Sequence, residues 1–177
     1  MGNPALTIFT IGHSTRPIDE FIGLLQAHGV GRLVDVRTVP KSRFNPQFGD
    51  DQLAASLELA RLRYLHLPGL GGLRRPRPDS TNTGWRNASF RGYADYMQTP
   101  DFEQALARVI ELAGAERIAL MCAESVPWRC HRSLIADALI VRGIEALEIA
   151  SRTSARPHKL TPFARVDGTK VSYPGLF

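Results

Sequence analysis

Short apolar runs alternate with amphipathic segments along most of this chain, and this alternation restricts its fold more than any other feature. The apolar runs have the length and β-branched content of strands. They cover residues 5–11, 32–37, 63–67, 117–122 and 144–149. The segments between them carry apolar residues at helical spacing. The pattern predicts a single three-layer α/β domain, with a mainly parallel sheet of about five strands and helices on both faces.

The chain length and cysteine content fit a compact intracellular domain. A length of 177 residues suits one domain of this class. No apolar run approaches the roughly 20 residues that cross a membrane, and the first residues do not resemble a signal peptide. Two cysteines in a chain of this length do not form a disulfide framework. We therefore expect a cytoplasmic protein with reduced thiols and no membrane partner.

Basic residues are concentrated in segments that lack regular periodicity. The formal net charge is +5, and the segments 37–43, 70–92 and 151–177 are each strongly basic. Irregular segments often carry binding groups, and arginine is the better bidentate partner for phosphate and carboxylate. This distribution predicts an anionic partner, either a small molecule or a nucleic acid. We expect the basic tail, residues 151–177, to pack on the same domain.

Reactive side chains follow the predicted strands at their carboxyl ends. Parallel strands all end at one edge of a sheet, and open α/β sheets bind their ligands at that edge. The candidates delivered there are His13, Ser14, Asp35, Arg37, Ser42, Arg43, His66, Cys122 and Glu124. The opposite edge carries little comparable chemistry. A binding or active site is therefore predicted at the carboxyl edge.

The densest group of reactive residues lies where the fourth strand meets the next helix, which is predicted to begin near residue 127. Cys130, His131 and Arg132 then fall in its first turn, where free N–H groups and the helix dipole favour anions and thiolates. The candidate catalytic residues are Cys122, Glu124, Cys130, His13 and His66. The candidate substrate-binding residues are Ser14, Asp35, Arg37, Ser42, Arg43, His131, Arg132 and Tyr93.

The residues alone leave several alternatives open at this site. Cys130 is either a nucleophile with a histidine base or a structural residue beside a phosphate-binding turn. Both cysteines are also compatible with simple packing as small buried side chains. Zinc ligation by Cys122, Cys130 and His131 is a further alternative, although an eight-residue separation differs from the short spacing of structural zinc sites. Glu124 acts either as an acid or base or as a salt-bridge partner of Arg132 or His131.

Six separated motifs, in this order, resemble the family of the domain of unknown function 488 (DUF488). They are Gly12-His13-Ser14, Asp35-Val36-Arg37 with Pro40, Ser42-Arg43, residues 64–68 with 70–72, residues 93–97, and residues 122–124 with 130–132. The resemblance spans roughly residues 7–149. It implies a single α/β domain over residues 1–150 and brings no established activity.

The sequence favours an enzyme of unspecified reaction class, with Cys/His-based chemistry, over two other classes of protein. Its expected substrate is phosphate-bearing, a nucleotide or a nucleic acid, bound at the carboxyl edge. The basic loops also fit a non-catalytic nucleic-acid-binding module. A protein-interaction domain with structural cysteines is the third possibility.

Overall fold

The computed structural model describes residues 6–126 and 129–175, and five strands alternate with helices along it. The elements in chain order are β1 (Thr7–Gly12), α1 (Ile18–Ala27), β2 (Arg32–Asp35), α2 (Asp50–Leu59), β3 (Arg63–His66), α3 (Ala88–Tyr96), α4 (Pro100–Ala115), β4 (Ile118–Cys122), α5 (Arg132–Ile140), β5 (Glu145–Ile149), β6 (Ala155–Pro157), β7 (Arg165–Asp167) and β8 (Lys170–Ser172). Short 3-10 helices cover Pro46–Phe48 and Pro68–Leu70.

The main sheet has six strands in the order β3-β2-β4-β1-β5-β6. The first five are parallel, and β6 pairs antiparallel with β5. The predicted α/β fold with a mainly parallel sheet is confirmed. The tail adds the edge strand β6 and the β7–β8 hairpin, neither of which the sequence pattern had indicated.

Helices cover both faces of the sheet because alternate residues of the central strands face opposite sides. Ala119 and Met121 belong to an apolar cluster shared with α1 and α2, whereas Leu120 and Cys122 belong to a cluster shared with α3, α4 and α5. This alternation places the Cys122 thiol on the same side of the sheet as α5.

The order of the strands creates a crevice between β2 and β4. The chain leaves β2 towards β3 at one edge and leaves β4 towards β5 in the opposite direction. Connections that diverge from neighbouring strands leave a ligand-sized gap between the carboxyl ends.

Helix α5 begins at Arg132, so the prediction of a start near residue 127 was wrong. Pro127 and Trp128 lie outside the described residues. The segment before the helix is held as turns, with Arg129 N donating to Val126 O at 3.0 Å and Ser133 N donating to Cys130 O at 3.1 Å. Cys130 and His131 therefore precede the helix, and only Arg132 lies in its first turn.

Gly12 allows the end of β1 to lie directly against the chain that follows β4. A Cβ atom at this position would come within 1.9 Å of the Glu124 carbonyl oxygen. Beyond Gly12, the amides of His13 and Ser14 donate to the carbonyls of Cys122 and Ala123, both at 2.9 Å. These bonds hold residues 122–124 in place beside β1.

Asp137, a fully buried residue of α5, anchors the C-terminal tail. Its carboxylate accepts hydrogen bonds from His158 Nε2 at 2.7 Å, Thr161 N at 3.1 Å and the Tyr173 hydroxyl at 2.7 Å. The tail is thus tied to the central helix at three points. Over residues 6–126 and 129–175, no helix has both the length and the hydropathy that spanning a membrane requires.

Candidate active site

Cys122 and Cys130 form a buried pair of free thiols at the carboxyl end of β4. The Cys130 thiol donates a hydrogen bond to Cys122, and Arg132 Nη1 lies 2.7 Å from Cys122 Sγ. Burial opposes ionisation of Cys122, but the hydrogen bond from Cys130 and the charge of Arg132 outweigh it and lower its pKa. The same hydrogen bond, together with burial, raises the pKa of Cys130. Of the two thiols, Cys122 is therefore the more readily ionised, and Cys130 holds its proton more strongly.

Arg132 is held rigidly behind the two thiols with only 1% of its surface exposed. Its Nη1 also donates to the Glu124 carbonyl oxygen at 2.9 Å, and its Nη2 donates to Glu148 Oε1 at 2.8 Å. The Thr10 hydroxyl donates to the second oxygen of Glu148. The guanidinium group thus links the loop after β4 to strand β5.

The predicted salt bridge between Glu124 and Arg132 or His131 is absent among the described residues. The Glu124 carboxylate instead accepts a hydrogen bond from Val126 N at 3.1 Å. Glu148 occupies the position of ionic partner because β5 brings it next to Arg132.

His131 presents an unprotonated nitrogen to Cys130. Its Nε2 lies 2.9 Å from the carbonyl oxygen of Val36, and a carbonyl only accepts, so Nε2 carries the hydrogen. Burial holds the pKa of His131 down at about 4, which keeps the ring neutral at pH 7. Its Nδ1 then has a free lone pair 3.5 Å from Cys130 Sγ. His131 Nδ1 is therefore placed to accept the Cys130 proton.

The stability of the fold is expected to fall as the pH drops from 7 to 4. An unfolded histidine takes up a proton near its ordinary pKa of 6.5, whereas folded His131 does so only near 4, so acid favours the unfolded chain. The loss from His131 is about 3 kcal/mol at pH 4. Urea unfolding of wild type and His131→Gln across this range measures it. Parallel pH profiles for the two proteins would contradict the assignment.

A cavity of about 450 Å³, here called the thiol cavity, opens over Cys130 and His131. Its other lining residues come from the loop before α3, from α3 and from the segment after β4, and they are Gly72, Leu73, Asn87, Ser89, Phe90, Tyr93, Ala123, Glu124 and Arg129. The volume falls in the range of small-molecule sites. A Cβ atom at Gly72 would lie 3.0 Å from His131 Nδ1, so glycine leaves room beside the candidate base.

The structure brings some of the predicted site residues together at the thiol cavity. Four of them line it: Glu124, Cys130, His131 and Tyr93. Cys122 and Arg132 lie directly behind Cys130. The Tyr93 hydroxyl donates to the Leu70 carbonyl oxygen at 2.8 Å, and its ring centroid is 5.0 Å from that of His131. Tyr93 is thus a wall of the cavity that supports the histidine ring.

A second group of predicted residues forms a separate cluster, here called the Asp35 cluster. Fully buried Asp35 accepts hydrogen bonds from Arg37 Nε at 2.9 Å, from Arg37 Nη2 at 2.7 Å and from the Tyr64 hydroxyl at 2.6 Å. His13 Nε2 faces Arg37 Nη1 at 3.5 Å, and His66 Nε2 donates to the Arg37 carbonyl oxygen at 2.7 Å. The donors of Arg37 are thus engaged within the protein, and no member of the cluster lines the thiol cavity.

His13 is held as a neutral ring inside this cluster. Its Nδ1 donates to the Ser14 carbonyl oxygen at 2.7 Å, and its ring stacks on Phe48 with centroids 4.2 Å apart. Burial, assisted by the charge of Arg37, lowers the pKa of His13. This packing places His13 towards the α1–α2 side, away from Cys130.

The remaining predicted residues lie in turns outside the thiol cavity. Ser14 adopts a positive φ of 51° at the turn after β1. The Ser42 hydroxyl accepts a hydrogen bond from Asn45 N at 3.2 Å, and exposed Arg43 lies 5.7 Å from the ring of Phe44.

Sequence reasoning missed several residues that shape the site. Glu148, like Asp35, is an acidic residue within an apolar strand. This position in the sequence could have indicated a buried ionic partner. Asn87 caps α3 by accepting hydrogen bonds from the amides of Ser89 and Phe90, a pattern that the sequence Asn-x-Ser suggests. No local signal distinguishes Arg129, which lines the cavity, from the other arginines.

Among residues 6–126 and 129–175, no three His, Cys, Asp or Glu side chains are grouped so that they would hold a metal ion. These two ranges therefore contain no set of side chains that would ligate the zinc ion considered above.

Comparison with known proteins identifies the family. The family model described as domain of unknown function DUF488 matches residues 17–139. No curated protein and no solved structure matches the chain. The matched region runs from the residue before α1 to the penultimate residue of α5, and it contains both cysteines, His131 and Arg132. Because the match covers more than half of the sequence, the chain belongs to the DUF488 family.

Proposed function

We propose that this chain is a thiol-dependent enzyme that acts on a phosphate-bearing substrate, a nucleotide or a nucleic acid, at the carboxyl edge of the sheet. One observation carries the proposal. Cys130 lies on the wall of the thiol cavity, with His131 Nδ1 3.5 Å from its sulfur, and Arg132 and Cys122 lie behind it. A thiol beside a base, at the floor of a cavity, is the arrangement that nucleophilic catalysis requires.

Cys130 is the proposed nucleophile because it reaches the cavity and Cys122 does not line it. At rest it holds a proton, so its attack needs a base. His131 Nδ1, which lies 3.5 Å from the Cys130 sulfur, is the proposed acceptor of that proton. As the proton moves, the Cys130 sulfur bonds to an electrophilic atom of the substrate, and the leaving group departs with its electron pair. Attack by water on this covalent intermediate then releases the product and restores the thiol.

Positive charge around the cavity mouth supports an anionic substrate. Arg129 is exposed and lines the cavity. The loop that contributes Gly72 and Leu73 continues into the exposed residues Arg75 and Arg77. Glu124 also lines the cavity, and its carboxylate accepts a hydrogen bond from Val126 N. With the arginines of the loop included, this region carries a net positive charge, which favours ligands of the opposite sign.

The proposal is tested by a turnover screen with nucleoside mono-, di- and triphosphates and short oligonucleotides, read by mass spectrometry of products and of intact protein. Wild type is expected to convert a member of the panel, while Cys130→Ser and His131→Gln lower turnover by about 100-fold or more. His28→Gln is the matched control because His28 lies remote from the thiols and bonds to the Ser151 carbonyl oxygen. Undiminished turnover in Cys130→Ser would contradict the proposal, as would an inert panel together with unreactive thiols.

A non-catalytic nucleic-acid-binding module is the second candidate. It is favoured by the exposure of Arg75, Arg77 and Arg86 along one loop. Its signature is an oligonucleotide affinity that falls steeply with salt, without any product. Filter binding across a salt series separates it from the enzyme.

A further inference from the structure

A second and larger cavity, of about 950 Å³, is lined in part by Ser125, Val126 and Arg132. It shares no lining residue with the thiol cavity. Its floor is formed by Thr10 at the end of β1, Glu148 at the end of β5 and Arg132 of α5, and the anchored tail forms one wall. We call it the tail cavity. It is large enough to enclose a ligand of nucleotide size.

The charges that line the tail cavity favour an anion. Four cationic side chains contribute to it, from Arg16, Arg132, Arg156 and Lys159, against Glu148 alone among the acids. Glu148 is already engaged by Arg132 and Thr10. Arg156 and Lys159 are exposed and form no ion pair with any described residue. The cavity therefore holds uncompensated positive charge close to its opening.

Two buried donors in the walls of the tail cavity lack a hydrogen-bond partner among the described residues. They are Nε of Arg132, whose side chain is 1% exposed, and Nε1 of Trp85. A buried donor without a partner costs about 1–3 kcal/mol, so native proteins rarely leave one unless a ligand or water completes it. Both residues line the tail cavity, so the two unpartnered donors belong to its wall.

Aromatic rings form the side of the cavity next to the tail. The Trp85 ring lies 4.8 Å from that of Phe163 and 5.5 Å from that of Tyr173. Phe163 is 42% exposed, and it lines the cavity with Trp85. Exposed aromatic faces beside cations are the features that bind nucleobases and their phosphates.

We propose that the tail cavity is a binding site for a nucleoside phosphate. Its base would lie against Trp85 and Phe163, and its phosphate would be held by Arg156 and Lys159. This inference goes beyond the proposed thiol chemistry because binding at this site needs neither cysteine.

The test is isothermal titration calorimetry of the full chain with adenosine monophosphate, adenosine and inorganic phosphate. Adenosine monophosphate is expected to bind more tightly than either fragment. The double variant Arg156→Ala/Lys159→Ala is expected to weaken it by about tenfold or more, since each lost charge-assisted contact is worth about 1.5 kcal/mol or more. The double variant Arg165→Ala/Lys170→Ala is the matched control, because it removes the same charge from the tail at positions that do not line the cavity. Trp85→Phe, which keeps the ring and removes the N–H, is expected to weaken binding less than Trp85→Leu.

Several results would overturn the proposal. They are no binding of adenosine monophosphate at about 1 mM, equal weakening by the two double variants, and binding of an oligonucleotide without the mononucleotide. The altered positions Arg156 and Lys159 are exposed, so this variant keeps the fold. Cys130→Ser is expected to retain full affinity for adenosine monophosphate. Turnover in Cys130→Ser tests the thiol chemistry, whereas the affinity for adenosine monophosphate tests the nucleotide site. The failure of one proposal is therefore distinguishable from the failure of the other.

Discussion

Replacement of Arg132 by methionine is expected to raise the pKa of Cys122 and to destabilise the fold by about 3–5 kcal/mol. Methionine fills a similar volume but removes the charge that lies 2.7 Å from Cys122 Sγ. It also leaves Glu148, whose side chain is 15% exposed, without its ionic partner. Breaking one member of a buried charged pair costs more than the pair contributes, because the remaining group stays desolvated.

Two measurements test the effects expected of Arg132→Met. The ultraviolet absorbance of the thiolate, recorded against pH, reports the pKa of Cys122 directly and needs no access of a reagent to the buried sulfur. Urea unfolding gives the change in stability. Arg142→Met, near the other end of α5, is the matched control, because Arg142 pairs with the 54% exposed Glu103 and its loss is expected to cost about 1 kcal/mol or less. An unchanged thiolate titration in Arg132→Met would show that Arg132 does not stabilise the Cys122 thiolate.

The carboxyl edge of the sheet was predictable because the periodicities of strands and helices are local properties of the sequence. The last residue of each apolar run marks the end of a strand. Parallel strands place all their carboxyl ends at one edge of the sheet. Cys122 was selected in this way, whereas Cys130 and His131 were selected from the expected start of the following helix. The sequence did not indicate that the edge is divided in two, with Arg37 turned towards Asp35 and away from the thiols.

The ionic partner of Arg132 shows why the rest of the site was not predicted from the sequence. Glu124 is eight residues away in the sequence, whereas Glu148 lies across a helix and a turn and reaches Arg132 only because β5 pairs with β1. The start of α5 was misplaced for a related reason. Residues 129–131 are compatible with a helix, but their turn lets the Cys130 thiol approach Cys122 and lets His131 reach Val36. Both outcomes depend on contacts between strands that no local pattern contains.

Asp35→Asn is expected to destabilise the fold by about 3–5 kcal/mol, measured by urea unfolding at pH 7. Asp35 is fully buried, and its carboxylate neutralises Arg37, whose side chain is 7% exposed. Asparagine keeps the size of the side chain and one acceptor oxygen, but it leaves the Arg37 guanidinium as an uncompensated charge in the interior. Its amide nitrogen also faces donors in either orientation, because Asp35 Oδ1 accepts from Arg37 N and Nε, and Oδ2 accepts from Arg37 Nη2 and the Tyr64 hydroxyl.

The double variant Asp35→Leu/Arg37→Met distinguishes two contributions to the free energy of unfolding. One is the cost of burying a charge without its partner, and the other is the net contribution of the ion pair. Removing both charges leaves nothing ionised to bury, so the double variant is expected to be more stable than Asp35→Asn. Glu20→Gln, in the partly exposed pair with Arg16, is the control for loss of a surface charge and is expected to cost less than about 1 kcal/mol. If Asp35→Asn were as mild as Glu20→Gln, the Asp35 cluster would not be an important stabilising element of the fold. A large loss in Asp35→Asn that is partly restored in the double variant would instead assign the cluster to stability and leave the chemistry to the thiol cavity.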